Sequence, residues 1–131
     1  MARPRHENPT PAELAVLQVL WKRGPSTVRE VMTVLNQERR RAYTSVMSLM
    51  NVMVEKGLLR QKPKGRAFVY SASVSQGRTR SEMVSDLLQR VFDGSASALV
   101  THVLEQTKPD SEELEEIRKT ISEFAHRKEG G

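Results

Sequence analysis

The 131-residue sequence contains no cysteine. That excludes a disulfide framework, thiolate metal sites and a thiol nucleophile. Aromatic residues are few, with one Trp, two Tyr and three Phe. So small a set argues against the exposed stacking sheet of an RNA binder. No apolar run approaches the roughly 18 residues of a membrane span, so no membrane partner is expected. The stretch MARPRHENPTPAE carries charge but no apolar core, so it does not read as a secretory signal, and a cytoplasmic protein is expected. The first 75 residues hold only five carboxylates, Glu7, Glu13, Glu30, Glu38 and Glu55, scattered rather than clustered as a metal-dependent nuclease requires. His6, His102 and His126 are far apart and show no metal or triad spacing. No glycine-rich phosphate loop is present. The expectation is therefore no enzyme, no catalytic residues, no metal and no cofactor.

What is present is positive charge, unevenly placed. Lys and Arg number 21 against 16 Asp and Glu, a net charge of +5. Residues 1–75 carry 13 Lys/Arg and 5 Asp/Glu, a balance of +8, whereas residues 76–131 carry 8 and 11, a balance of −3. A basic half joined to a mildly acidic half suggests a polyanion-binding module followed by a different unit. A solvated basic face with no partner would give the same totals, so the order of residues must decide.

The order predicts helices first. Thr10-Pro11-Ala12-Glu13 has the spacing of a capping box with proline at the first helical position. Leu14, Leu17, Leu20 and Trp21 then share a face, and Gly24-Pro25 ends the helix. Thr27 and Glu30 repeat the capping-box spacing ahead of a stripe of Val28, Val31, Met32 and Leu35. A third helix is predicted from Ala42 to Lys56, with Val46, Leu49, Met50, Met53 and Val54 inward and Gly57 as the stop. Its opposite side carries Thr44, Ser45, Met47, Ser48, Asn51 and Glu55. The period then changes to that of strands. Leu58–Lys62 and Arg66–Ser71 are expected to pair about a turn at Pro63-Lys64-Gly65, with Arg60, Lys62, Lys64 and Arg66 at alternate positions. Trp21, Phe68 and Tyr70 are expected in the core.

Ser71–Gly77 reads as a linker. Three further helices are predicted, from about Arg78 to Asp93, from Ser95 or Ala96, and from a cap at Asp110. Their apolar stripes are Val84, Leu87, Leu88, Val91 and Phe92; Leu99, Val100, Val103 and Leu104; and Leu114, Ile117, Ile121 and Phe124. The last has a spacing close to a coiled-coil seam. Such short helices offer more apolar face than they can bury alone, and pairing with a second copy is the simplest solution.

Three short helices followed by a basic hairpin make a winged helix-turn-helix. The fold class is thus α+β, mostly helical, with a C-terminal three-helix dimerisation arm. Residues 1–9 would be a flexible basic tail, 10–75 the DNA-binding domain and 76–131 the dimerisation domain. The third helix can dock its apolar side while its polar side meets base edges in a major groove. Capped helix N-termini and hairpin cations suit phosphates. Arg41, at the end of the Arg39–Arg41 run, precedes the third helix where a phosphate would lie.

The segment from AELAVLQVLWKRG to GRAFVYSAS resembles the penicillinase repressor (BlaI/MecI) family of bacterial winged-helix regulators. The resemblance rests on LW late in the first helix, GPSTVREV leading into the second, AYTSVM opening the third, EKGLL at its end, and GRAFVY in the second strand. FDGSASALV is similar to the family's dimerisation arm. The resemblance implies a homodimeric repressor on a promoter operator, double-stranded DNA with inverted half-sites. Carried over residue by residue, it implies contacts by Tyr43, Thr44, Ser45, Met47, Ser48 and Asn51, by Lys62, Lys64 and Arg66 of the wing, and by Thr27. Asn51 could bond adenine in bidentate fashion, and Met47 could touch a thymine methyl or form a second packing face.

The sequence also departs from the family. Val52 stands where many members carry Arg. Induced members are cut by a membrane-bound sensor protease at an Asn-Phe pair, and the aligned pair here is His102-Val103, which argues against that partner. Copper-responsive relatives use a cysteine cluster that this chain lacks. An adaptor binding protein rather than DNA is the alternative, and it would need an apolar anchor on the third helix where Thr44, Ser45, Ser48 and Asn51 stand.

Overall fold

The computed structural model describes residues 8–130, so the first seven residues of the expected basic tail lie outside the described residues. The elements in chain order are α1 (Pro11–Arg23), α2 (Val28–Leu35), α3 (Tyr43–Glu55), β1 (Leu59–Lys64), β2 (Ala67–Ala72), α4 (Gln76–Phe92), α5 (Ala96–Thr107) and α6 (Ser111–Gly130). The architecture is a winged helix-turn-helix followed by three helices. By contacts the chain divides into two units, one up to Asp86 and one from Leu87 onward.

In the first unit both capping boxes form. The Glu13 N–H donates to Thr10 Oγ1 at 3.2 Å while the Thr10 N–H donates to Glu13 Oε1 at 2.9 Å. Thr27 and Glu30 make the same reciprocal pair at 3.2 and 2.9 Å. Each hydroxyl cap contributes about 1 kcal/mol to its helix. The core collects Val16, Leu17 and Leu20 of α1, Val28, Val31 and Leu35 of α2, and Val46, Met50 and Met53 of α3. Leu58, Leu59 and Tyr70 close it from the wing side. The α1 face is rotated from the expected stripe: Val16 and Val19 are buried, while Leu14 and Trp21 are half-buried. Trp21 Nε1 instead donates to the Val74 carbonyl at 2.9 Å, pinning the segment that follows the wing.

Glu13 does more than cap. It is 3% exposed, and Lys56 Nζ donates to its Oε2 at 2.8 Å, linking the start of α1 to the end of α3. Burial pushes the Glu13 carboxyl up, but the bonds from Lys56 and Thr10 together outweigh it and hold the carboxyl below its ordinary range.

The wing differs from expectation in its turn. Lys64 pairs with Ala67 and Pro63 with Phe68, so the turn is Gly65-Arg66 and both Pro63 and Lys64 belong to the strand. Gly65 has φ +63°, a left-handed conformation at the first position of a two-residue turn, which glycine adopts at no steric cost. Proline lacks an N–H, but a two-stranded ribbon has open edges toward which that missing donor can turn. Phe68 is not a core residue. It is 47% exposed, because the outer end of the ribbon extends past the helices.

A third segment joins the ribbon. The Ser26 N–H donates to the Tyr70 carbonyl at 3.0 Å, and the Tyr70 N–H to the Ser26 carbonyl at 2.8 Å. Ser26 is fully buried, and its hydroxyl donates to the Gly24 carbonyl at 2.9 Å. The corner between α1 and α2 is thereby fastened to the wing.

Helix α4 starts at Gln76 rather than near Arg78, with Ser75 Oγ accepting from the Arg78 N–H at 3.1 Å. In the second unit Ser95 caps α5 and Asp110 caps α6 through the Glu113 N–H at 2.9 Å. No described residue from Leu87 onward is buried. Val91 is 62% exposed and Phe124 63%. Leu87, Val100, Val103, Leu114 and Ile121 are exposed, as is Val84 earlier on α4, while Leu88, Phe92, Leu99, Leu104 and Ile117 are half-covered.

Candidate nucleic-acid interface

The exposed side of α3 has two strips. Tyr43, Met47 and Asn51 recur every fourth residue and line a groove between α3, the start of α2 and the wing. Thr44, Ser45 and Ser48 lie on the outer side of the helix, all exposed. Thr27 and Arg66 line the same groove, so five of the expected contacts meet there. Met47 is half-buried, packed against the core and lining the groove at once.

Helix α2 presents its first turn to this groove. The early N–H groups of a helix have no intrahelical acceptor, and the dipole there favours an anion. The Thr27 N–H is already taken by Glu30, but the Thr27 hydroxyl, accepting from Glu30, still has its own proton to give. Glu30 would repel a phosphate were it alone. Arg23 Nη2 bonds it at 2.8 Å, and the Thr27 backbone N–H bond foremost, with that from Arg23, holds its carboxyl below the ordinary range.

Arg41 sits differently from the other expected contacts. Its Nη1 donates to the carbonyls of Leu35 at 2.9 Å and Arg39 at 3.1 Å, and its backbone N–H donates to Asn36 Oδ1 at 2.8 Å. The side chain thus closes the C-terminal end of α2, where a cation complements the dipole. Arg39 and Arg40 are exposed beside it.

The wing cations divide by strand geometry. Arg60, Lys62 and Lys64 alternate along β1 and share one face, all exposed. The other face carries Gln61 and Pro63 opposite Tyr70 and Phe68, and Gln61, Phe68 and Tyr70 line the groove. Arg66, in the turn, reaches the groove from its tip.

Three groove residues escape the sequence reading. Arg29 lies in the first turn of α2, and its guanidinium stacks over the Tyr43 ring at 5.4 Å. Its position one residue after buried Val28 places it on the outer side, a signal the capping pattern contains. Gln61 and Phe68 follow from the strand period once the turn is placed at Gly65-Arg66. Asn51 has a partner as well: the buried Tyr70 hydroxyl donates to Asn51 Oδ1 at 3.0 Å.

A family profile described as penicillinase repressor matches residues 9–123. The chain is similar to the penicillinase repressor of Bacillus licheniformis, 26% identical over 89% of this chain and 91% of that protein. It is also similar to the transcriptional regulator BlaI of Mycobacterium tuberculosis, 32% identical over 86% of this chain and 81% of the relative. Among solved structures, that of monomeric Bacillus licheniformis BlaI in complex with the blaP half-operator covers 56% of this chain and 89% of its own. That pair is 25% identical with a TM-score of 0.48.

Proposed function

The chain belongs to the penicillinase repressor family and is a DNA-binding transcriptional repressor, and from that premise we propose that it acts as a homodimer on a promoter operator of two inverted half-sites. Residues 10–75 bind DNA and residues 76–131 dimerise. The observation that carries this reading is the groove itself. The polar strip of α3 (Thr44, Ser45, Ser48) stands beside a wall made by Thr27, Arg29, Tyr43, Met47, Asn51 and Arg66. A helix seated in a major groove would place these side chains against base edges and phosphates. Lys62 and Lys64 then lie outside, toward the flanking backbone, where position rather than sequence is read. Arg41 acts mainly through the corner it holds.

The unburied apolar stripes from Val84 to Phe124 support the dimer, since a second copy would cover them in a closed two-fold arrangement. Two-fold symmetry in turn sets half-sites about 10 bp or a multiple apart. We assign the protein no catalytic activity and a place of action in the cytoplasm, with its operator. His102 and Val103 lie within α5, with the His102 ring 5.8 Å from that of Phe92. The departure from the Asn-Phe pair of induced members at these two positions speaks against a sensor protease cutting there.

Selection of bound duplexes from a random pool tests the proposal. An inverted repeat with the stated spacing is expected. Affinity should fall steeply with salt, log K changing by about −0.9 per neutralised phosphate against log salt. Absence of enrichment at low salt would overturn it and favour a protein-binding adaptor.

A further inference from the structure

We infer that Tyr70 is a specificity-determining positioning residue: its hydroxyl holds the Asn51 amide oxygen inward, so that Asn51 turns its NH2 group toward DNA. Tyr70 is 3% exposed and lies on β2, whereas Asn51 is exposed on α3 and lines the groove. The Tyr70 hydroxyl donates to Asn51 Oδ1 at 3.0 Å across the boundary between core and groove. The direction of the bond follows from burial. A phenol proton inside the protein needs an acceptor, while an amide group on an exposed residue can turn to water. Among the described residues no buried side-chain nitrogen or oxygen lacks a partner, so this bond is part of a satisfied core. Burial, then the neighbouring Tyr43, keep the phenol pKa above its ordinary value, so the hydroxyl remains a donor at neutral pH. The backbone of Tyr70 is itself fixed through the two bonds to Ser26, which leaves the hydroxyl little freedom to follow a rotating amide.

The consequence concerns base choice, and it rests on the DNA-binding reading above. An asparagine that reads adenine in bidentate fashion must present oxygen and nitrogen side by side, accepting from N6 and donating to N7. Here Tyr70 takes one of the two lone pairs of the oxygen and draws it inward, which disfavours the bidentate adenine contact expected from sequence and leaves the NH2 group as the outward donor. An outward NH2 needs an acceptor. Guanine offers two side by side, N7 and O6, and thymine offers O4, whereas adenine sets its N6 donor beside its single acceptor N7 and cytosine offers only the N4 donor. Asn51 therefore selects a keto base over an amino base.

Duplex selection with the full chain, its Asn51→Ala form and its Tyr70→Phe form tests this. Asn51→Ala identifies the position, by relaxing one base pair per half-site. The wild type is expected to prefer guanine or thymine there, by about fivefold or more. Tyr70→Phe frees the amide and should shift that one position toward adenine. Affinity for random duplex and the salt slope should stay within about twofold, a pattern that a general loss of folding would not produce. Preference for adenine in the wild type overturns the inference, as does an unchanged preference in Tyr70→Phe. Should Tyr70→Phe fail to fold, exchange of the keto base for an amino base in a duplex bound by the wild type carries the test, and undiminished binding overturns it. A wild type that enriches no sequence at all overturns the DNA reading and this assignment with it, an outcome distinct from the other two.

Discussion

The winged-helix unit and the helices from Leu87 onward put their apolar side chains to different uses. The first closes around Leu17, Val31, Met50 and Met53, each almost wholly shielded from water. In the second, Val91, Ile121 and Phe124 are each more than half exposed and no described residue is buried. Its helices are supported locally by the Ser95 and Asp110 caps and by surface pairs such as Arg118 with Glu115. Such pairs contribute only a few tenths of a kcal/mol. In the homodimer proposed above, a second copy would cover these stripes. The contrast then separates residues that serve the chain from residues that would serve the assembly.

Truncation inside the closed core gives the largest expected effect. Leu17→Ala should cost about 3 kcal/mol or more of unfolding free energy in urea melts, since the site is sealed and cannot collapse freely. A cost below about 1 kcal/mol would break the contrast from the core side. Charging the open face comes next. Val91→Asp should leave the unfolding midpoint of the winged-helix unit unchanged, because the position is 62% exposed in the single chain and lies outside that unit. Dimer dissociation measured by sedimentation should become at least about tenfold easier, as unpaired charge is costly once covered. An unchanged dissociation constant would remove Val91 from the interface.

The Glu13–Lys56 link sharpens the comparison at smaller scale. Glu13→Gln should destabilise the winged-helix unit by about 1–2 kcal/mol, less than for a fully buried pair because Lys56 is partly in water. The folded-state carboxyl lies below its unfolded value, so its contribution is full above the unfolded pKa near 4.5 and is lost as pH falls through the folded value. Acid titration of stability should therefore be shallower in Glu13→Gln than in the wild type, and parallel curves would show that the link contributes nothing. Smallest of all is Lys64→Ala, expected to weaken specific and random duplexes alike and to lower the salt slope by about one contact. Selective loss on the operator alone would move Lys64 from phosphate to base.

Sequence order exposed what is local. Thr10 with Glu13 and Thr27 with Glu30 announce two helix starts three residues at a time, and the inner face of α3 repeats on the helical period. The basic alternation of Arg60, Lys62 and Lys64 announces a strand. What escaped depends on contacts between distant residues. Lys56 reads as a helix-end cation until the fold brings it to Glu13, 43 positions away. Asn51 reads as a free amide until Tyr70, 19 positions on, takes its oxygen. Phe68 reads as core because phenylalanine usually is. Only the placement of the turn at Gly65-Arg66 shows that its strand has outrun the helices. Pro63 points to a turn by composition, yet Gly65, two residues on, is the residue that can adopt the left-handed conformation.

The reciprocal bonds between Ser26 and Tyr70 have a consequence for the speed of recognition. A reading head whose wing is already latched to the corner before α2 has its conformational entropy removed during folding, not on encounter with DNA. The outer ribbon from Lys62 to Val69, with its tip at Gly65-Arg66, extends beyond the latch. If the groove is the DNA-contact surface proposed above, it would move from one duplex register to the next without reassembling at each stop.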